Sequence, residues 1–325
     1  MEHLKEFLQS QSSASVLAHA LGIRIIPHAP SLLSNAIINV VDCESWERDG
    51  NKLTEIGLST FSVHDMHAVP SPGDHGINLL KNVYFYHHRL TTTALLINGR
   101  WVAGNPTKNR FGNTRFVTPA EAKAALREAF NWPLKPAKGK GEPEYCPVIF
   151  MGHAIHNDLS MLSRALDFDV SLFGTAVMTI DTQELAPSLG VYTGPGHLIS
   201  LRRLCESHGF EYRDTHTAGN DAAYTLFGAV FMVLNHFGIA GEGGLDAATD
   251  EGSSPTLTPQ QVVDTIEALS RDQVDNWGVA TFCERCDRYN HLRRDCRARV
   301  NCQVCLQANR KGAARSHMTS RCTWK

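Results

Sequence analysis

The run Ala36-Ile-Ile-Asn-Val-Val-Asp42 constrains this chain more than any other stretch. A short, nearly unbroken apolar run is what a strand needs when both faces are covered, so it predicts a central strand of a sheet flanked by helices. The run ends in Asp42-Cys-Glu44. Side chains at i and i+2 share a strand face, so the two carboxylates point the same way. Like charges that close repel unless a cation lies between them. Taken alone, an Asp-x-Glu triplet is more often a solvated surface pair.

The rest of the chain supplies a setting for such a strand. Leu53 to Val63 and Asn82 to Leu90 read as its sheet partners, and Pro119 to Phe130 as an Ala-rich helix capped by Thr118. Leu134 to Pro147 reads as an exposed loop. Val148 to Met151 and Val177 to Ile180 are further buried strands; Asp158 to Leu166, Leu198 to His208 and Asn220 to Phe237 are helices. Strands followed by strand–helix alternation indicate an α/β fold, a mixed sheet flanked by helices. The expected organisation is a helical segment over 1–35 with no assigned role, the α/β domain over 36–240, a linker and short helix over 241–280, and a small C-terminal module over 281–325. The boundary should fall in the Gly/Ser/Asp-rich stretch from Gly241 to Pro259. Ala222 to Ile239 approaches membrane-spanning length but carries Tyr224, Asn235 and His236, so a buried core helix is expected rather than a membrane span. The first residues hold acids and no long apolar core, which does not fit a secretory signal.

Two further acidic segments share the pattern of the first. Gly152-His153-Ala-Ile-His156-Asn157-Asp158 follows a buried strand and opens a helix, which places Asp158 near the carboxyl edge of the sheet, where ligand sites of open α/β sheets form. His216-Thr-Ala-Gly-Asn-Asp221 brings another acid into a helix start, with His216 on the preceding loop. Each acid alone is better explained as a helix cap. Together Asp42, Glu44, Asp158 and Asp221 form a set of hard oxygen donors suited to two Mg²⁺ or Mn²⁺ ions, as phosphoryl transfer by paired metals requires. His216 would be the base for an attacking water.

These three segments resemble the motifs of the DEDDh exonucleases, which have a ribonuclease H-like fold. In the related tyrosine class the base stands four residues before the last aspartate; that position here is Thr217, so the histidine class is implied. The body is also similar to the fungal "good for full DEAD-box helicase activity" exonuclease domains. The similar stretches are Val41 to Glu47 with Thr54-Glu-Ile-Gly57, Asn98-Gly-Arg-Trp-Val102 with Phe111-Gly112, Ile180 to Gln183, and Ala218 to Leu226. That resemblance spans roughly residues 36–237. One departure is Thr217, where those proteins usually carry Asn after the histidine.

The tail has its own chemistry. Six of the nine cysteines lie beyond residue 281. There, 11 Lys/Arg stand against 3 Asp/Glu, whereas residues 1–280 hold 20 against 30. Cys283-x2-Cys286-x4-His291-x4-Cys296 has the spacing of a CCHC zinc knuckle, with Asn290 where glycine is usual. Cys302-x2-Cys305-x11-His317-x4-Cys322 keeps both outer spacings and lengthens the middle loop. Two structural Zn²⁺ ions are expected; a cross-braced binuclear module is the alternative arrangement. Phe282 and Tyr289 are candidates for stacking on bases, and Arg285, Arg288, Arg293, Arg294, Arg297 and Arg299 for pairing with phosphates.

The function expected is metal-dependent 3′→5′ exonuclease action on single-stranded nucleic acid, RNA favoured over DNA, in the nucleus or cytoplasm of the cell. The alternative is a non-catalytic RNA-binding adaptor, and the zinc tail has a protein partner as its second reading. His64, His67, His75, His87 and His88 fit no compact ligand set and read as loop or edge-strand residues. Asp181 reads as a structural cap, and Lys135, Lys138 and Lys140 as a solvated loop.

Overall fold

A computed structural model describes residues 1–134, 144–191, 194, 198–239 and 256–324. The expected loop with Lys135, Lys138 and Lys140, and most of the expected linker from Gly241, lie outside these residues. Two short helices open the chain, α1 (Glu2–Gln9) and α2 (Ser13–Ala20). Next come β1 (Ile37–Trp46), β2 (Asp49–Ser62), the short helices α3 (Val63–His67) and α4 (Ile77–Leu80), β3 (Tyr84–Leu90), β4 (Thr114–Val117) and α5 (Pro119–Phe130). Then follow β5 (Val148–Gly152), α6 (His156–Leu166), β6 (Ala176–Asp181), α7 (Thr182–Ser188), α8 (Leu201–Ser207), α9 (Ala218–His236) and α10 (Pro259–Ser270).

One sheet runs β4-β3-β2-β1-β5-β6. β1, β2 and β3 are antiparallel neighbours, while β5 and β6 lie parallel to β1, and β4 parallel to β3. This is the ribonuclease H-like mixed sheet anticipated from the sequence, with β4 added. Thr-Arg-Phe-Val of β4 is too short and too polar to announce itself. The central run behaves as its composition requires. Ile38 and Val40 pack with α9 on one face, and Val41 and Cys43 with α5 and α6 on the other. α5 carries a full capping box between Thr118 and Glu121. α1 and α2 bury Leu4, Leu8, Val16 and Leu17 in the same core as α9, so the N-terminal segment belongs to this body. α9 is buried among protein side chains almost throughout, and no helix among the described residues is long and apolar enough to cross a membrane.

Two expectations need correction. The short helix expected over Gln260 to Ser270 is present as α10, but residues 257–279 pack on the body instead of tethering the tail. Helix α10 buries Val262, Val263 and Ile266 in the main core, and the chain after it straps the β3–β4 side of the sheet. Gln273 pairs with the backbone of Val83 and Phe85, the Asp275 carboxylate meets His88 at 2.7 Å, and Val279 bridges to Phe116. The amphipathic pattern of α10 is short and the strap has no periodicity, so neither signals docking. His87 and His88 are neither loop nor edge residues. They lie inside β3 between β2 and β4, where His87 faces Glu55 at 2.9 Å and Thr114 at 2.9 Å. Hydrogen bonds to partners distant in sequence make these buried rings tolerable.

The correction to α10 is testable. Ile266→Ala should destabilise the protein by about 2–5 kcal/mol, the cost of a core cavity. Thermal unfolding reads it; a loss within about 0.5 kcal/mol, as at an exposed site, would return the helix to a linker.

Candidate active site and zinc centres

The site is assembled by one close backbone approach. Asp42 and Glu44 stand on β1 opposite Gly57 and Glu55 of β2. A Cβ at Gly57 would sit 1.9 Å from the carbonyl oxygen of Ala218, so only glycine lets the first turn of α9 rest on the sheet there. Glu55, itself buried, accepts a hydrogen bond from the Ala218 N–H. With α9 docked this way, Asp221 faces the β1 acids.

Asp158 arrives from the first turn of α6. It is no cap, since α6 has no side-chain cap bond. Its Oδ1 instead accepts the N–H of Cys43 at 2.8 Å, between the two β1 acids. Asp181 does cap α7 through the Gln183 N–H. It also accepts the N–H groups of Ala154 and Ile155, which holds the β5–α6 turn where Ala154 adopts φ +57°. Asp181 thereby sets the start of the helix that carries Asp158.

His216 lies on the loop before α9 at φ +58°, with its side chain 42% exposed. Its Nδ1 is 3.8 Å from Glu44 Oε1, and its N–H donates to Asp221 Oδ2 at 3.1 Å. The loop is stapled from outside. The Asn105 N–H donates to the His216 carbonyl, and Thr217 Oγ1 donates to the Asn105 carbonyl, which gives this unusual threonine a structural task. Asn220 binds the carbonyls of Lys108 and Asp214, and Arg110 joins Asp214 to Glu267 of α10. Sequence alone does not reveal most of these supports, because their partners lie a hundred or more residues away.

Asp42, Glu44, Asp221 and His216 line a cavity of about 480 Å³, together with His153, Gln183, Arg202 and Tyr212. Ligand atoms of Glu44, His216 and Asp221 lie within 4.8 Å of one another. Burial is the main reason the acids bind protons more tightly than free carboxylates. It pushes Glu44 up to about 9, helped by the charges of Asp221, Glu55 and Asp158. Asp221 and Asp158 are each raised to about 7, again chiefly by burial, and Asp42 rises well above its ordinary value for the same reason. Among the described residues, Asp221 Oδ1 is buried with no hydrogen-bond partner. An orphaned carboxylate oxygen amid repelling acids is the environment a hard divalent cation relieves, so these residues fit Mg²⁺ or Mn²⁺.

The tail forms two sequential ligand sets, Cys283, Cys286, His291 and Cys296, then Cys302, Cys305, His317 and Cys322. Within each set all donor atoms lie within 4.8 Å, so the cross-braced alternative is not what the fold adopts. Two thiolates on one tetrahedral zinc lie about 3.8 Å apart. Cys305 and Cys322 are separated by 3.8 Å, and Cys286 and His291 by 3.4 Å, so the geometry fits zinc. The second set carries two short helices, α11 (Gln303–Gln307) and α12 (Lys311–Ala314).

The tail is docked rather than tethered. Glu284 makes a buried 2.7 Å ion pair with Arg89 of β3, whose guanidinium also lies over Phe116. Phe282 is 1% exposed and packs with Ala94 and Phe116, which corrects its expected role: it cannot stack on a base. Arg285 is likewise engaged, donating to the carbonyls of Arg315 and Cys296 and joining the two units. Tyr289, Arg288, Arg293, Arg294, Arg297 and Arg299 remain exposed.

Over residues 37–232, more than half of the chain, the sequence matches the family described as "DNA polymerase III subunit epsilon-like, C-terminal domain", DEDDh_C. Among curated proteins it is similar to the "Good for full DBP5 activity protein 2" of Saccharomyces cerevisiae, 27% identical over 208 residues. That match takes in 59% of this chain but only 34% of the yeast protein. Among solved structures, E. coli exonuclease I in a zinc-bound ssDNA complex superposes with TM-score 0.40 at 13% identity, covering 62% of this chain and 41% of that one. The same enzyme with a dA16 oligonucleotide gives TM-score 0.38 at 13% identity, covering 62% and 41%. Likeness this low carries no argument about activity.

Two outcomes are expected from this geometry. The acids have folded-state pKa values raised above about 4, so the folded protein binds more protons than the unfolded chain between about pH 4 and 9. Stability without divalent metal should therefore fall as pH rises through that window. Mg²⁺ or Mn²⁺ should restore it, and Asp221→Asn should flatten the slope. Thermal melts across pH read this, and equal melts with and without metal at pH 8 would remove the cation site. Elemental analysis of the whole chain should find two zinc ions, and Cys302→Ser should lose one of them.

Proposed function

This chain belongs to the DEDDh family over residues 37–232, and from that premise we propose that it is a metal-dependent 3′→5′ exonuclease acting on single-stranded nucleic acid, RNA in preference to DNA. The observation that carries the reading is the convergence of Asp42, Glu44 and Asp221 from β1 and α9 on one cavity, with His216 3.8 Å from Glu44, and with Asp158 of α6 bound to the Cys43 N–H between the two β1 acids. The resemblance to DEDDh enzymes maps onto these positions, residue by residue. The four carboxylates would hold two Mg²⁺ or Mn²⁺ ions, whose charge would stabilise the attacking and leaving oxygens of the phosphodiester.

The chain's own residues supply the remaining parts. Burial, and then the charge of Arg202, hold His216 below the ordinary histidine range, so its ring is neutral and able to accept a proton at physiological pH. It takes that proton from the attacking water as the new oxygen–phosphorus bond forms. The bond from phosphorus to the 3′ oxygen of the preceding nucleotide breaks, that oxygen takes a proton from solvent, and a nucleoside 5′-monophosphate leaves. The loop staples from Asn105, Asn220 and Arg110 hold the base in place over the acids.

We assign the zinc tail to strand binding. Its exposed arginines and Tyr289 suit phosphates and unpaired bases, and zinc knuckles address single strands. We assign the protein to a reducing compartment, the nucleus or cytoplasm, because six of its cysteines stand in two Cys/His ligand sets rather than in a disulfide framework.

The test is degradation of labelled single-stranded RNA with Mg²⁺ or Mn²⁺. Asp42→Ala or Asp221→Ala should reduce turnover by roughly a few orders of magnitude. His216→Ala should reduce it by roughly 10²–10⁴-fold with metal binding mostly kept. Mononucleotides should leave from the 3′ end, and circular RNA should resist. Near-normal activity in Asp42→Ala or release from the 5′ end would sink the assignment; binding without hydrolysis in wild type would favour the adaptor.

A further inference from the structure

Trp101 is the most exposed aromatic side chain among the described residues, at 72%. An exposed tryptophan usually sits on a loose tip, but this one is clamped. Residues 98–104 form a small loop closed by the Gly104 N–H on the Asn98 carbonyl at 3.1 Å. Inside it, the Glu47 carboxylate accepts the N–H groups of Gly99, Arg100 and Trp101, the last two at 3.0 Å. The Arg100 guanidinium lies over the indole at 4.8 Å.

The stem of this loop touches the candidate site from two sides. Asn98 donates to the carbonyl of Ser45, the residue after Glu44, at 2.8 Å, and accepts the Glu47 N–H at 2.9 Å. Immediately after the loop, the Asn105 N–H reaches the His216 carbonyl at 3.3 Å. Trp101 is three residues from each end of the loop, so its Cα lies within about 11 Å of both. The loop that displays the ring is held by backbone carbonyls of Ser45, next to Glu44, and of His216, and both Glu44 and His216 line the cavity.

We propose that Trp101, with Arg100, is a stacking platform for an unpaired base of the strand whose 3′ end occupies the cavity. This rests on the exonuclease reading. A flat indole backed by a guanidinium suits a base face and a nearby phosphate, and base–aromatic stacking tolerates any sequence. Bases inside a duplex are already stacked, so the platform selects single strands. An apolar protein segment would gain less from a ring flanked by a cation and set beside a cluster of acids.

The experiment measures binding of labelled single-stranded RNA, and of the same strand annealed to its complement, to the full chain without added divalent metal. Trp101→Ala should weaken single-strand affinity by about five- to a hundredfold, the range of one lost base stack, and change duplex affinity far less. Trp101→Phe should recover most of the loss. Glu47→Ala should reproduce part of it with the indole still present, because the loop is then unclamped. An unchanged thermal midpoint in Trp101→Ala excludes misfolding. Single-strand affinity within about twofold of wild type in Trp101→Ala overturns the proposal and leaves the ring to a protein partner. Failure of the parent reading looks different: wild type binds strands in a Trp101-dependent way yet releases no nucleotide on addition of Mg²⁺ or Mn²⁺.

Discussion

The contact on which the rest depends is the seat of α9 on β2 at Gly57. A helix start pressed directly against a strand leaves no room for a side chain, and it brings Asp221 and the loop of His216 over the acids of β1. Glu55 secures the approach through the Ala218 N–H while pairing with buried His87. The acids that result repel one another and are poorly hydrated. Such a site is unfavourable by itself, and a divalent cation would relieve it where further packing could not.

The same row of the sheet leads to the zinc tail. Glu44 lies opposite Glu55, Glu55 opposite Arg89, Arg89 opposite Phe116, and Phe116 opposite Val279. Neighbouring strands lie about 4.8 Å apart, so the root of the tail is about 19 Å across the sheet from Glu44. Three residues later Phe282 is buried, and Glu284 neutralises Arg89. A buried ion pair is weak evidence for stability, but it is specific, because either charge left alone is costly. It fixes the first zinc unit in one register on the body. Arg285 and the Arg321–Asp287 pair then fix the second unit on the first.

Much of the candidate site was legible in the sequence because its signals are local. Asp42 and Glu44 end a buried run, Asp158 opens a helix after a strand, and His216 to Asp221 lead into an apolar helix. Each is read within about ten residues. What escaped was long-range. Asn105 holds the His216 loop from 110 residues away, and Glu47 clamps Trp101 across 54. Phe282 looked like a free aromatic beside a zinc ligand, since nothing near it says that Phe116 and Ala94 cover it.

By itself the sequence marked the central strands β1 and β5, the four acids with a histidine as candidate ligands, and the two Cys/His sets. All of these follow from periodicity or fixed spacing, which the chain carries wherever it goes. It also read Val177 to Ile180 as buried, whereas β6 is an edge strand with only Ile180 buried. Tertiary structure alone decided that residues 257–279 are part of the body, that His87 and His88 lie inside the sheet, and that the zinc units follow one another without crossing. Those outcomes rest on surfaces that become complementary only when strands far apart in sequence are side by side, so no single segment encodes them.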